Sequence, residues 1–185
     1  MVNIRGRIVA RKAVFIYFYM RYFWEFLPRE DWVLDDVYQA VKAVLLKDID
    51  YEEFKKQLEK SKNQLGSWEE VIDYILNNFF EKDIDIVDGA YIDSTAPFFD
   101  EFKNEVEQKV DLLARSFKFE EMDIIDRAIF LLGYVEKKKL GTDPKLILNE
   151  MIELAKRYWD EGSPKLINGI GHHLIITDST VEKSN

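Results

Sequence analysis

The run Met122-Asp123-Ile124-Ile125-Asp126-Arg127-Ala128-Ile129-Phe130-Leu131-Leu132-Gly133-Tyr134-Val135-Glu136 decides the fold class. Ile125, Ala128, Ile129, Leu132 and Val135 fall at i, i+3, i+4, i+7 and i+10, the spacing of one helix face. Toward the C-terminus, Asp143-Pro144 is a helix start, an N-cap followed by a proline whose missing N–H costs nothing in the first turn. That helix is expected to bury Leu148, Met151, Ile152, Ala155, Tyr158 and Trp159. Ser163-Pro164 repeats the signal for a last helix through Ile167 and Ile170, and the polar residues 177–185 read as a flexible tail.

Toward the N-terminus the same period recurs. A helix is expected from Pro97 to Arg115, and the acidic stretch 81–93, with Gly89, reads as a loop. Ser67-Trp68-Glu69-Glu70 and Asp50-Tyr51-Glu52-Glu53 have the form of capping boxes. A helix from about Asp31 carries Val37, Val41, Val44 and Leu45. In the first segment Val9, Ala13, Ile16, Tyr17, Met20 and Trp24 form one stripe. Strand-like alternation is scarce, so the class is all-α, with seven or eight helices in one domain over 1–176. Lys47-Asp48-Ile49-Asp50 recurs as Lys82-Asp83-Ile84-Asp85, but two copies do not make a solenoid.

Composition excludes several chemistries. The 185 residues contain no cysteine, which rules out disulfides, thiolate metal sites and cysteine nucleophiles. The most apolar stretch, Ala13–Met20, is too short for a membrane span of about 20 residues, so the cytoplasm is the default. Asp83, Asp85 and Asp88 before Gly89 miss the register of a calcium loop and read better as solvated acids. His172-His173 are neighbours on a helix, cannot share one metal as an i, i+4 pair does, and are assigned a structural or surface role. Gly169-x-Gly171 follows no strand and is no dinucleotide fingerprint. Neither a cofactor, a metal nor a catalytic group is expected.

Charge is unevenly placed. Residues 1–22 hold Arg5, Arg7, Arg11, Lys12 and Arg21 and no acid, a local +5 that leaves −14 for the rest of a chain with net charge −9. Arg7 and Arg11 are i, i+4 neighbours and lead to Phe15, Phe18 and Tyr22, on a face the stripe does not need. Residues 15–27 hold eight aromatics. Such an end could grip phosphates and stack unpaired bases. The aromatics read better as core; the segregated arginines read better as phosphate contacts.

The quoted run resembles the "I-x-x-v-D-R-A-I-L-R-x-x-x-Y-E-L" helix of the NusB family of bacterial antitermination factors. Leu146 to Tyr158 is similar to that family's "V-V-I-N-E-A-V-E-L-A-K-x-F", and Ser163 to Ile170 to its "S-x-K-F-V-N-G-V". Arg7 to Phe18 fits the family's basic opening loosely. The resemblance implies two small packed helical bundles, here with an inserted helical hairpin at about 25–92, and a function without chemistry. It implies binding of boxA-type single-stranded RNA together with NusE, a small-subunit ribosomal protein. Through that pair the family acts indirectly on RNA polymerase, and it supports ribosomal RNA transcription and maturation. Family members occur as monomers or dimers, so a homodimer stays open.

By motif matching, Arg7, Arg11, Phe18 and Asp126 lie at the RNA, and with Arg5, Lys12 and Lys165 they make up the expected RNA-binding set; Asn149 and Glu150 match a pair taken as structural. Three departures stand out. Leu166 replaces the usual Phe, Gly162 stands where an acid is common, and Gly171 should loosen the last helix. A rival reading is a protein-interaction module of the same fold that has lost RNA binding. NusB-like domains also occur fused to RNA cytosine methyltransferases, but this chain has no methyl-donor glycine loop.

Overall fold

A computed structural model describes residues 3–26, 38–39, 50–56, 66–114, 117–158 and 162–177. Seven α-helices are labelled: α1 (Ile4–Phe26), α2 (Trp68–Phe79), α3 (Gly89–Asp93), α4 (Phe99–Leu113), α5 (Ile124–Leu140), α6 (Pro144–Tyr158) and α7 (Ser163–Gly171). A further helical stretch covers 51–56. Among the described residues there is no strand, and the expected all-α class holds. None of the described helices is long and apolar enough to cross a membrane. Apart from residues 38–39, which are helical, the helix expected from Asp31 lies outside the described residues, as do the first K-D-I-D copy up to Ile49, Trp159 and the tail from 178.

Several helix starts form as their sequences dictate. Ser67 accepts from the N–H of Glu70, whose side chain returns to the N–H of Ser67, a complete capping box. Asp50 Oδ1 accepts from the N–H groups of Glu52 and Glu53, and Asp143 Oδ1 from those of Lys145 and Leu146. α5 ends at Gly141.

Two expectations are corrected. The acidic stretch 81–93 is not a loop: residues Glu81–Ile86 form a 3-10 helix, and Asp88 caps α3 by accepting from the N–H of Tyr91. Ser163 does not cap the last helix, because Gly162 holds the cap position and the Ser163 hydroxyl donates instead to buried Asp126. The last α-helix ends at Gly171. A Cβ there would stand 2.9 Å from Leu148 Cδ1, so its bare backbone lets α7 close on α6. The chain then continues as a π-helical turn, His172–Thr177, that buries Leu174 and Ile175.

α1 is the axis of the molecule. It packs on α5 from the C-terminal half and on α2 and α3 from the preceding segment, while α4 and α6 flank α5 and α7 covers α6. A helix contacted on several sides must be apolar nearly all round. Accordingly Val14, Phe15, Phe18 and Tyr22 are buried as well as Val9, Ala13 and Tyr17, whereas Ile16, Met20 and Trp24 of the expected stripe are only half-buried. From residue 66 onward the segment assigned to an insert is part of this core, through Ile72, Ile75, Tyr91 and Ile92.

Candidate nucleic-acid interface

The first turns of α1 were expected to present a free basic face. Asn3 starts the helix by accepting from the N–H of Gly6, and its amide donates to the carbonyl of Ile86. This ties α1 to the acidic segment that was expected to be solvated. Arg5, whose side chain is 72% exposed, lies 2.5 Å from Asp83. Arg7 Nε donates to Asp88 at 2.7 Å, and its guanidinium stands over the Tyr91 ring. Asp83 and Asp88 thus serve as counter-ions to α1.

Arg11 is the clearest departure. It is 5% exposed and bonds Glu136 of α5 through two nitrogens, at 3.2 and 2.9 Å, and Glu150 of α6 at 2.8 Å. Its guanidinium is already occupied by two carboxylates and cannot also meet a phosphate. Burial works against its charge, but the Glu136 hydrogen bond and the neighbouring acids outweigh that and raise its pKa above the usual value. Glu150, read as structural, fits that role.

Phe18 is fully buried, edge-on to Phe99 with centroids 5.4 Å apart, so it cannot stack on a base. Phe15 stacks on Tyr158 and Tyr22 meets Phe99. Asp126 is buried against Ser163 and is not a surface acid. Lys165 is exposed in the first turn of α7. Leu166 packs against the core. Of the five cations in residues 1–22, Lys12 is the one without an ion pair among the described residues; Arg21 is held by both oxygens of Asp100 at 2.9 Å.

The residues that sequence reasoning missed are Tyr19 and Phe23. Their rings stack with centroids 6.1 Å apart and planes 18° from parallel, and both remain half-exposed. They line an open cleft of about 600 Å³ with Phe26, Met122, Ile125 and Arg127. The available signal was their i, i+4 spacing, off the stripe that runs from Val9 to Trp24.

The Arg7–Asp88 pair carries a pH signature. Burial works against the Asp88 carboxylate, but the Arg7 hydrogen bond, the Tyr91 N–H and the Arg7 charge overcome it and hold the pKa below the ordinary value. A depressed folded pKa gives stability that is present above the unfolded value, about 3.9, and is lost as pH falls through the folded one. Asp88→Asn should therefore be less stable than the parent at neutral pH, with the gap closing in acid. Urea melts at several pH values check this; a gap that stays constant into acid contradicts it.

Comparison with known proteins now supplies the relationship. Residues 37–174 match the model of the NusB family. The chain is 37% identical over 67 residues to the transcription antitermination protein NusB of Campylobacter hominis, covering 36% of this chain and 51% of that protein. It is 38% identical over 68 residues to that of Campylobacter curvus, covering 37% and 52%. For that of a Nitratiruptor species the figures are 35% over 65 residues, covering 35% and 47%. The chain thus spans about half the length of the curated relatives it matches. The family model, by contrast, runs from residue 37 through the core of α5, α6 and α7, and on that span the chain belongs to the NusB family.

Proposed function

We propose that this chain is a transcription antitermination factor that works without chemistry in the cytoplasm. It binds boxA-type single-stranded RNA with NusE, supporting ribosomal RNA transcription and maturation. Family membership is the observation that carries this reading. On the molecule, the stacked Tyr19–Phe23 pair lining an open cleft supplies the ring surface that unpaired bases need. Arg5, Lys12 and Lys165 supply exposed or half-exposed cations, and Arg7 contributes if RNA displaces Asp88.

The test is RNA binding with and without NusE across a salt series. Affinity should fall with salt by about 0.7 log unit per log unit for each phosphate contacted. Tyr19→Ala should lose about 1–3 kcal/mol of binding, the worth of one stacked base. Unchanged affinity after Tyr19→Ala together with Arg5→Glu would remove both supports.

A second reading is a protein-interaction module that has given up RNA. It is favoured by the Arg5–Asp83 and Arg7–Asp88 pairs, which neutralise the basic end from within the chain. Capture of NusE with no RNA bound even at low salt would select it.

A further inference from the structure

Arg5, Ile8 and Lys12 recur at i, i+3 and i+7 and share one face of α1. Opposite lies the C-terminal half of α6. Between them is a cleft of about 230 Å³, with Ile8 and Leu154 as its apolar lining and Lys12 and Arg157 among its charged residues. Two carboxylates also border it, Glu150 and Glu153. Neither serves Lys12 or Arg157: Glu150 is held by Arg11 at 2.8 Å and Glu153 by Lys156 at 2.7 Å. Three cations therefore line one cleft; Arg11 is held by Glu136 and Glu150, and among the described residues Lys12 and Arg157 have no ion-pair partner.

Lys12 and Arg157 act on each other. Burial, and then the charge of Arg157, depress the Lys12 pKa, and the charge of Asp83 offsets this only in part. An anion seated between the two would remove the repulsion. An ammonium offers a compact point charge and a guanidinium a planar fork, a combination suited to the two free oxygens of a phosphodiester. Arg157 is exposed and Lys12 half-buried, so neither is needed to hold the core.

We propose that Lys12 and Arg157 together form a single phosphate seat that takes one phosphodiester of a bound single-stranded RNA. The seat rests on the RNA-binding reading and adds to it a residue of α6, remote in sequence from the basic N-terminal segment. A free phosphate ion offers the same chemistry, so the experiment carries both sources.

Anisotropy of a short labelled single-stranded RNA is followed through a salt series for the parent, Lys12→Gln, Arg157→Gln and the double variant. Removing both side chains should lower the salt slope by about 0.7, the worth of one phosphate. The two substitutions should also be non-additive in affinity, as expected for partners on one group. A slope that stays at the parental value overturns the seat and leaves the RNA reading intact. A slope lowered by about 1.4, with additive losses, overturns it in favour of two separate contacts. In a second arm, inorganic phosphate is titrated while the Lys12 side-chain resonances are recorded by NMR. If the parent binds no RNA at any salt, the RNA reading fails and this arm decides the seat. A saturable Lys12 shift abolished by Arg157→Gln upholds an anion seat, and its absence overturns it.

Discussion

Arg11→Met is expected to cost about 3–5 kcal/mol of folding stability, the penalty for leaving a buried charge without its partner. Glu136 is 1% exposed and forms an ion pair with Arg11. With the guanidinium removed, that carboxylate stays between α1 and α5 with neither water nor a cation to compensate it. Glu150 suffers less, because 31% of its side chain reaches solvent and can rehydrate. The penalty belongs to the orphaned charge rather than to the lost pair. The double variant Arg11→Met with Glu136→Leu should therefore regain most of the loss, since apolar replacements of a buried pair are often neutral or better. Denaturant melts of the three proteins decide it. A double variant no more stable than the single one would show that the pair does something packing cannot replace. The same reasoning removes Arg11→Glu from any RNA-binding test, because that variant would place three carboxylates together in a buried site.

Gly6→Ala should lose about 2–3 kcal/mol, although alanine is the better helix former by about 1 kcal/mol. The built Cβ lies 1.9 Å from the carbonyl oxygen of Ile86 and 3.3 Å from the backbone nitrogen of Asp88. Both obstacles are main chain, so no side-chain rotation can relieve them. The N–H of Asp88 also donates to the carbonyl of Gly6 at 3.3 Å, and the Arg5 and Arg7 ion pairs depend on the same closeness. Substitution must push residues 86–88 off α1 or bend the helix start. The midpoint of urea unfolding should fall with little change in m. A variant as stable as the parent would mean that the segment yields freely.

What could be read in advance follows from how local each signal is. α5 and α6 were legible because their stripes and start residues lie within the elements themselves. The Ser67 box was legible for the same reason. Residues 81–93 were not, since an acidic run with one glycine looks solvated until its partners are known. Asp83 and Asp88 find theirs at Arg5 and Arg7, 78 and 81 residues away. On α1, periodicity misled because the helix is buried on several sides. With apolar residues nearly all round, no face is marked as solvent-facing, and an error of one residue turns a side chain by about 100°. That error separates buried Phe18 from half-exposed Tyr19. Ser163 was misread because its hydroxyl has a partner on α5 that competes with capping.

The Arg11 brace also bears on how the chain can be made. Its two carboxylates lie 125 and 139 residues downstream. α1 is synthesised well before α5 and α6, which supply the carboxylates that neutralise its buried cation. Until Glu136 and Glu150 have emerged, Arg11 has no counter-ion and the face of α1 that packs on α5 stays uncovered. This segment is therefore a natural target for a chaperone during translation, and a ribosome stalled before residue 136 would hold Arg11 without either counter-ion.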